Sequence, residues 1–224
     1  MTQQTRPAAV AGLFYPASTA SLARQLQRML RPAESTGRRP VALIAPHAGY
    51  IYSGPIAASA YGLLRPFHDA VDRVMLLGPS HYVPFRGLAL AEATAFETPL
   101  GQVEVDVEAC DRLLRLDQVS RLDAAHGREH SLEVHLPFLQ TVLDAFELVP
   151  LAVGDATPEE VADVLLHYLG EERTLIVVSS DLSHYRDYET ARQLDAETCS
   201  RIENLSGSVS PDSACGSRAV NGLI

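Results

Sequence analysis

The sequence predicts an α/β fold, a mainly parallel central sheet flanked by helices, and three observations carry that expectation. Four short, continuous apolar runs lie at 41–45, 74–77, 148–153 and 174–178. They are rich in β-branched residues, the mark of strands buried on both faces. Stretches with helical apolar spacing separate them, and strands alternating with helices make βαβ units. With 224 residues, 46% hydrophobic and 21% charged, the chain has an ordinary globular composition and length enough to bury a core without staples.

Taken in order, Leu22, Leu26, Met29 and Leu30 predict a helix over 18–30 with Ser18 as its N-cap. Residues 31–40 are polar and turn-rich and read as a loop. The first apolar strand ends in Pro46-His47, and a helix follows over 53–64, capped by Ser53. The second strand ends in Gly78-Pro79-Ser80-His81. Segments 88–91 and 102–105, joined through Thr98-Pro99-Leu100-Gly101, read as a smaller inserted strand pair. Helices are expected over 106–116, 132–146, 157–169 and 188–205. Pro137 demands a kink or a late start in the second of these, and Thr157-Pro158-Glu159-Glu160 marks the start of the third. The strand at 148–153 ends in Gly154-Asp155, and that at 174–178 runs into Ser179-Ser180-Asp181-Leu182-Ser183-His184.

Composition removes several functions. A net charge of −10 argues against nucleic acid and anionic membranes as partners. There is no apolar run of about 18 residues. The N-terminus lacks a basic segment followed by an apolar one, and Cys110, Cys199 and Cys215 form no disulfide framework, so the expected location is the cytoplasm. All 18 basic residues are Arg, which removes Schiff-base and P-loop lysine chemistry.

In open α/β sheets, ligands bind beyond the carboxyl ends of the strands. Three strands each deliver a histidine there, His47, His81 and His184, and one also delivers Asp181. Their rings are expected to converge in one pocket. Two or three imidazoles with a carboxylate or thiolate suit zinc, iron or copper.

A second cluster runs from His126 to His135. His126 and His130, like Glu129 and Glu133, are four residues apart and would share a helix face able to bind metal. The competing reading is a polar helix start capped by Ser131 or His130, with Leu132, Leu136, Leu139 and Leu143 inward. Glu129, His130 and His135 are assigned to the pocket lining around the centre, as are Tyr50 and Tyr52, which follow His47. Cys110 and Cys199 fall in helices and read as structural. Cys215 lies in a small-residue turn leading into a helix, where a thiolate is favoured.

Several stretches, taken together, resemble the Memo family, the AmmeMemoRadiSam system protein B of bacteria and archaea. They are Ala11-Gly-Leu-Phe-Tyr-Pro16, Ala45-Pro-His-Ala-Gly-Tyr-Ile-Tyr-Ser-Gly54, Leu77-Gly-Pro-Ser-His81, Glu129-His-Ser-Leu-Glu-Val-His-Leu-Pro137, Ser179-Ser-Asp-Leu-Ser-His184 and Ala214-Cys-Gly216. The resemblance implies a fold like that of class III extradiol dioxygenases. It implies iron or copper, with zinc less favoured, held by His47, His81 and Cys215, and His184 as acid or base with Asp181 beside it. It further implies a functional link to AMMECR-type and radical SAM proteins, and one Memo-like domain over 1–224 without the family's C-terminal closing elements. Three functions fit: a metal-dependent redox enzyme acting on a small molecule, a non-catalytic module holding a peptide or protein in the same cleft, and a zinc-dependent hydrolase.

Overall fold

The computed structural model describes residues 4–30, 37–205 and 208–224. Most of the expected loop at 31–40 therefore lies outside the described residues. In chain order the elements are β1 (Thr5–Arg6), α1 (Thr19–Met29), β2 (Ala42–Ala45), α2 (Gly54–Gly62), β3 (Arg73–Pro79), β4 (Leu88–Leu90), β5 (Ala95–Thr98), β6 (Gly101–Glu104), α3 (Val107–Leu113), β7 (Val119–Arg121), α4 (Ala124–Gly127), α5 (Leu136–Val142), β8 (Glu147–Val153), α6 (Pro158–Leu166), β9 (Thr174–Ser179), α7 (Tyr188–Glu203) and α8 (Ser217–Leu223).

The main sheet has six strands in the order β2-β9-β3-β8-β4-β7. The four apolar runs form its parallel half, with Met75 of β3 in register with Val149 of β8 and Ile176 of β9. Their interior side chains, including Val74, Leu76, Leu151 and Val177, are fully buried, as expected of strands covered on both faces. From β2 to β3 and from β8 to β9 the chain crosses the sheet in opposite directions. Right-handed crossovers therefore put α2 and α6 on opposite faces. Helices α1, α2 and α5 pack together, and α8 packs on α6, β3 and β9. Among the described residues, no helix is long and apolar enough to cross a membrane.

The inserted strand pair is not as expected. Residues 88–91 do not pair with 102–105. Instead β4 joins the main sheet, antiparallel to β8 and parallel to β7, with all three of its residues buried. The partner of β6 is β5, through Thr98↔Gly101, and β1 pairs with β5 to complete a three-stranded sheet. The strand just before the turn won, because adjacent antiparallel segments close the shortest loop.

Several helix starts also differ. The helix start expected at Thr157–Glu160 is present, and there Thr157 and Glu160 form a reciprocal capping box on α6. Ser53 precedes α2, but its hydroxyl donates to the Ala48 carbonyl rather than capping. Pro55 stands where an N–H would be needed. Ser18 precedes α1 without a side-chain cap. At Pro137 the outcome is a late start: a 3-10 turn over Glu133–His135 leads into α5, which ends at Val142. Neither Ser131 nor His130 caps it; the Ser131 hydroxyl donates to the Pro79 carbonyl. Cys199 is exposed on α7, contrary to a structural role, because Thr198 is the buried residue of that helix.

Candidate metal centre

β2, β9 and β3 are neighbours, so the residues after their carboxyl ends meet. Neighbouring strands lie about 4.8 Å apart, which puts β2 and β3 within side-chain reach of each other across β9. His47 leaves β2 buried, its backbone N–H and that of Ala48 donating to Asp181 Oδ1 at 2.8 and 3.2 Å. Burial, with the neighbouring His81 and His130 rings, pushes the His47 ring down to about 3, so it is neutral near pH 7.

His81 leaves β3 half-exposed, with Nδ1 2.9 Å from Glu129 Oε1. Burial alone would lower its pKa. Hydrogen bonds to Cys215 and Glu129, and the Glu129 charge, outweigh burial and carry it up to about 9. Glu129 is itself buried, yet it accepts from the His81, His130 and Ser131 backbone N–H groups as well as the His81 ring. Those donors outweigh burial and hold its carboxyl at about 2. The Glu129 turn can sit on β3 because Gly78 has no Cβ; one there would lie 2.8 Å from Ser131 Oγ and 2.9 Å from Leu132 Cδ2.

Cys215 arrives from the far end of the chain. Its N–H donates to the Asp181 carbonyl at 3.2 Å, the Asp181 N–H donates back to its Sγ at 3.3 Å, and the Gly216 N–H donates to Ser180 Oγ at 3.0 Å. A Cβ on Gly216 would lie 2.4 Å from the Ser179 carbonyl oxygen, so only glycine permits this approach. The clasp sets Cys215 Sγ 3.3 Å from His47 Nε2.

His130 completes the cluster. Ring nitrogens of His47, His81 and His130 lie within 4.8 Å of one another, and the His81 and His130 rings stack at 4.7 Å. His130 Nδ1 is buried with no hydrogen-bond partner. Donors about 2 Å from one ion lie roughly 3–4 Å apart, so the three imidazoles form a cluster of the size a metal ion needs, with the Cys215 thiol beside one of them.

Asp181 and His184 stand beside it. Asp181 Oδ2 is 3.8 Å from His47 Nε2 and 3.7 Å from His184 Nε2, and His184 is half-exposed. A pocket of about 620 Å³, walled by Ile44, Ile56, Leu182 and Ile202, opens against both residues and holds Tyr52 and Cys199 at its rim. Tyr50 is buried, its hydroxyl donating to the Val134 carbonyl. His135 is fully buried away from the opening, and burial pushes its ring down to about 3.

Glu129 and Glu133 do not share a face, nor do His126 and His130, because 126–135 is not one helix. Glu133 points into the interior, where it pairs with Arg6 and accepts from the Ala9 and Val10 N–H groups and from Tyr15 Oη. Arg6 also donates to the His126 and Glu129 carbonyls. Phe14, in the same N-terminal segment, packs its ring 4.6 Å from His130. Arg6, Phe14 and Tyr15 thus brace the site without having been singled out from the sequence. The one available signal was that Phe14 and Tyr15 stand in the Ala11–Pro16 motif.

The Memo-like protein family model matches residues 6–212. A MEMO1 family protein of Ignicoccus hospitalis is 38% identical over 218 residues, covering 89% of this chain and 76% of the relative. The MEMO1 family proteins of Thermotoga maritima (34% over 220 residues, 91% and 79% covered) and Aquifex aeolicus (37% over 206 residues, 90% and 76% covered) are similar in the same way. With a family model spanning nearly the whole chain and relatives matched at this identity, the chain belongs to the Memo-like protein family.

Proposed function

We propose that this chain is a metal-dependent redox protein whose centre is His47, His81 and Cys215, with His130 at its edge. The observation that carries the reading is the thiol of Cys215 set 3.3 Å from His47 Nε2, beside a cluster in which the His47, His81 and His130 ring nitrogens lie within 4.8 Å of one another. A two-imidazole, one-thiolate set suits copper or iron. Held there by His47, His81 and Cys215, either metal would supply one-electron chemistry. The protein's own residues do the rest. Glu129 fixes the His81 ring, Asp181 fixes the His47 backbone, and His184, exposed beside Asp181, donates or accepts a proton at the mouth. The apolar pocket against Asp181 and His184 is the space for a small-molecule or peptide ligand.

Calorimetric titration of anaerobically purified chain with iron(II), copper(I) and zinc(II) tests this. Tight binding of iron or copper, lost in both His47→Ala and His81→Ala with the fold intact, is the expected result. Preference for zinc without oxygen uptake turns the reading to a hydrolase. Peptide binding with no metal affinity turns it to a binding module.

A further inference from the structure

We infer that Ser179 is the positioning residue that decides which ring nitrogen of His47 faces the metal centre. Ser179 ends β9, fully buried, and its Oγ has three neighbours: His47 Nδ1 at 2.6 Å, His135 Nε2 at 2.8 Å and the Ser131 carbonyl oxygen at 2.6 Å. A hydroxyl carries one proton and can accept twice. The Ser131 carbonyl only accepts, and two oxygens at 2.6 Å without a proton between them repel. The Ser179 proton is therefore committed to Ser131, and both imidazoles must donate to Ser179.

The hydrogen bond on the other side of His135 agrees. The Tyr61 hydroxyl, fully buried, lies 2.8 Å from His135 Nδ1. Burial drives its pKa well up, so it keeps its proton and donates it. His135 then accepts at Nδ1 and carries its own proton on Nε2, toward Ser179. The two rings on Ser179 are thus locked in opposite tautomers: His47 protonated on Nδ1, His135 on Nε2. The lone pair of His47 is left on Nε2, the nitrogen 3.3 Å from Cys215 Sγ.

The tautomers stand on the metal-free chain; their consequence for a metal rests on the reading given above. Long-range proton–nitrogen correlation of the histidine rings in the metal-free ¹⁵N-labelled chain at pH 7 tests the assignment directly, with His47 identified through His47→Gln. The expected result is His47 protonated on Nδ1 and His135 on Nε2; a His47 proton on Nε2 overturns the inference, and this needs no Ser179 variant to fold. Ser179→Ala is expected to release the single tautomer of His47 and to weaken copper(I) binding about 10–100-fold, with Ser179→Thr, which keeps the hydroxyl, restoring both. Unchanged tautomers and affinity in Ser179→Ala overturn it as well. If the chain binds no metal but shows the two tautomers, the Ser179 assignment is upheld and the metal-centre reading fails.

Discussion

Glu129 and Glu133 stand four residues apart, both buried, each accepting four hydrogen bonds, and they serve different ends. Around Glu129 the donors are three backbone N–H groups and the His81 ring. Around Glu133 they are Arg6, two backbone N–H groups and Tyr15, with the carboxylate sealed from solvent. The carboxylates themselves do not differ; their partners do. His81 has a second nitrogen turned toward the site, whereas every partner of Glu133 spends its polar group inward. Glu129 reaches the candidate centre because one of its donors has a second nitrogen facing outward, and Glu133 has no such donor.

The largest test of that contrast is Glu133→Ala. It leaves Arg6 in the interior without a counter-charge, held only by the His126 and Glu129 carbonyls, and denaturant unfolding should show a loss of about 3–5 kcal/mol. Glu129→Gln should cost less stability, about 1–3 kcal/mol, while metal affinity by calorimetry falls about 10–100-fold. Equal stability losses with no change in affinity for Glu129→Gln would erase the distinction.

A pH titration of stability sharpens it. His126 and His135, held by burial at about 4 and 3, bind fewer protons folded than unfolded between those values and 6.5. Stability of the metal-free chain should therefore fall as pH drops from 6.5 toward 3, by several kcal/mol as an order of magnitude. Glu129 adds to the loss from 4.5 toward 2. His81 has the opposite sign: raised to about 9, it contributes stability that is complete below 6.5 and lost as pH rises through 9. Glu129→Gln should flatten that alkaline limb, whereas substitutions around Glu133 should leave it.

The smallest effect is in thiol labelling. Cys110 is buried, with burial pushing its thiol up to about 12, and should stay unlabelled until unfolding. Cys199, exposed, should label at one rate with or without copper(I). Cys215 should be slowed by the metal; equal labelling in both states rejects it as a ligand.

The parallel half of the sheet was legible because 74–77, 148–153 and 174–178 are apolar without interruption, and burial on both faces leaves no other reading. From that half it followed that His47, His81 and Asp181 share an edge. β5 and β7 were not legible, being three or four residues long without a clear period. The fate of Glu133 was hidden for another reason. Helical spacing at 126–135 is real on paper, but the segment is broken into turns, and Glu133 finds partners more than 115 residues away. The exposure of Cys199 was hidden because α7 buries one residue of sixteen, and apolar spacing says nothing about a helix that projects outward.

The clasp on Cys215 has a consequence in time. The sulfur lies 168 residues beyond His47 along the chain. At synthesis rates of about 5–20 residues per second, roughly 8 to 34 seconds separate the emergence of the two. β9 lies between β2 and β3, so the nitrogen half of the centre can be assembled only once Ser179 has emerged, 36 residues and about 2 to 7 seconds ahead of Cys215. Under the proposed metal reading, an ion captured during that interval would be held by imidazole alone. The docking of residues 215 and 216 onto 180 and 181 is the late event, and on that reading it would select the ion that stays.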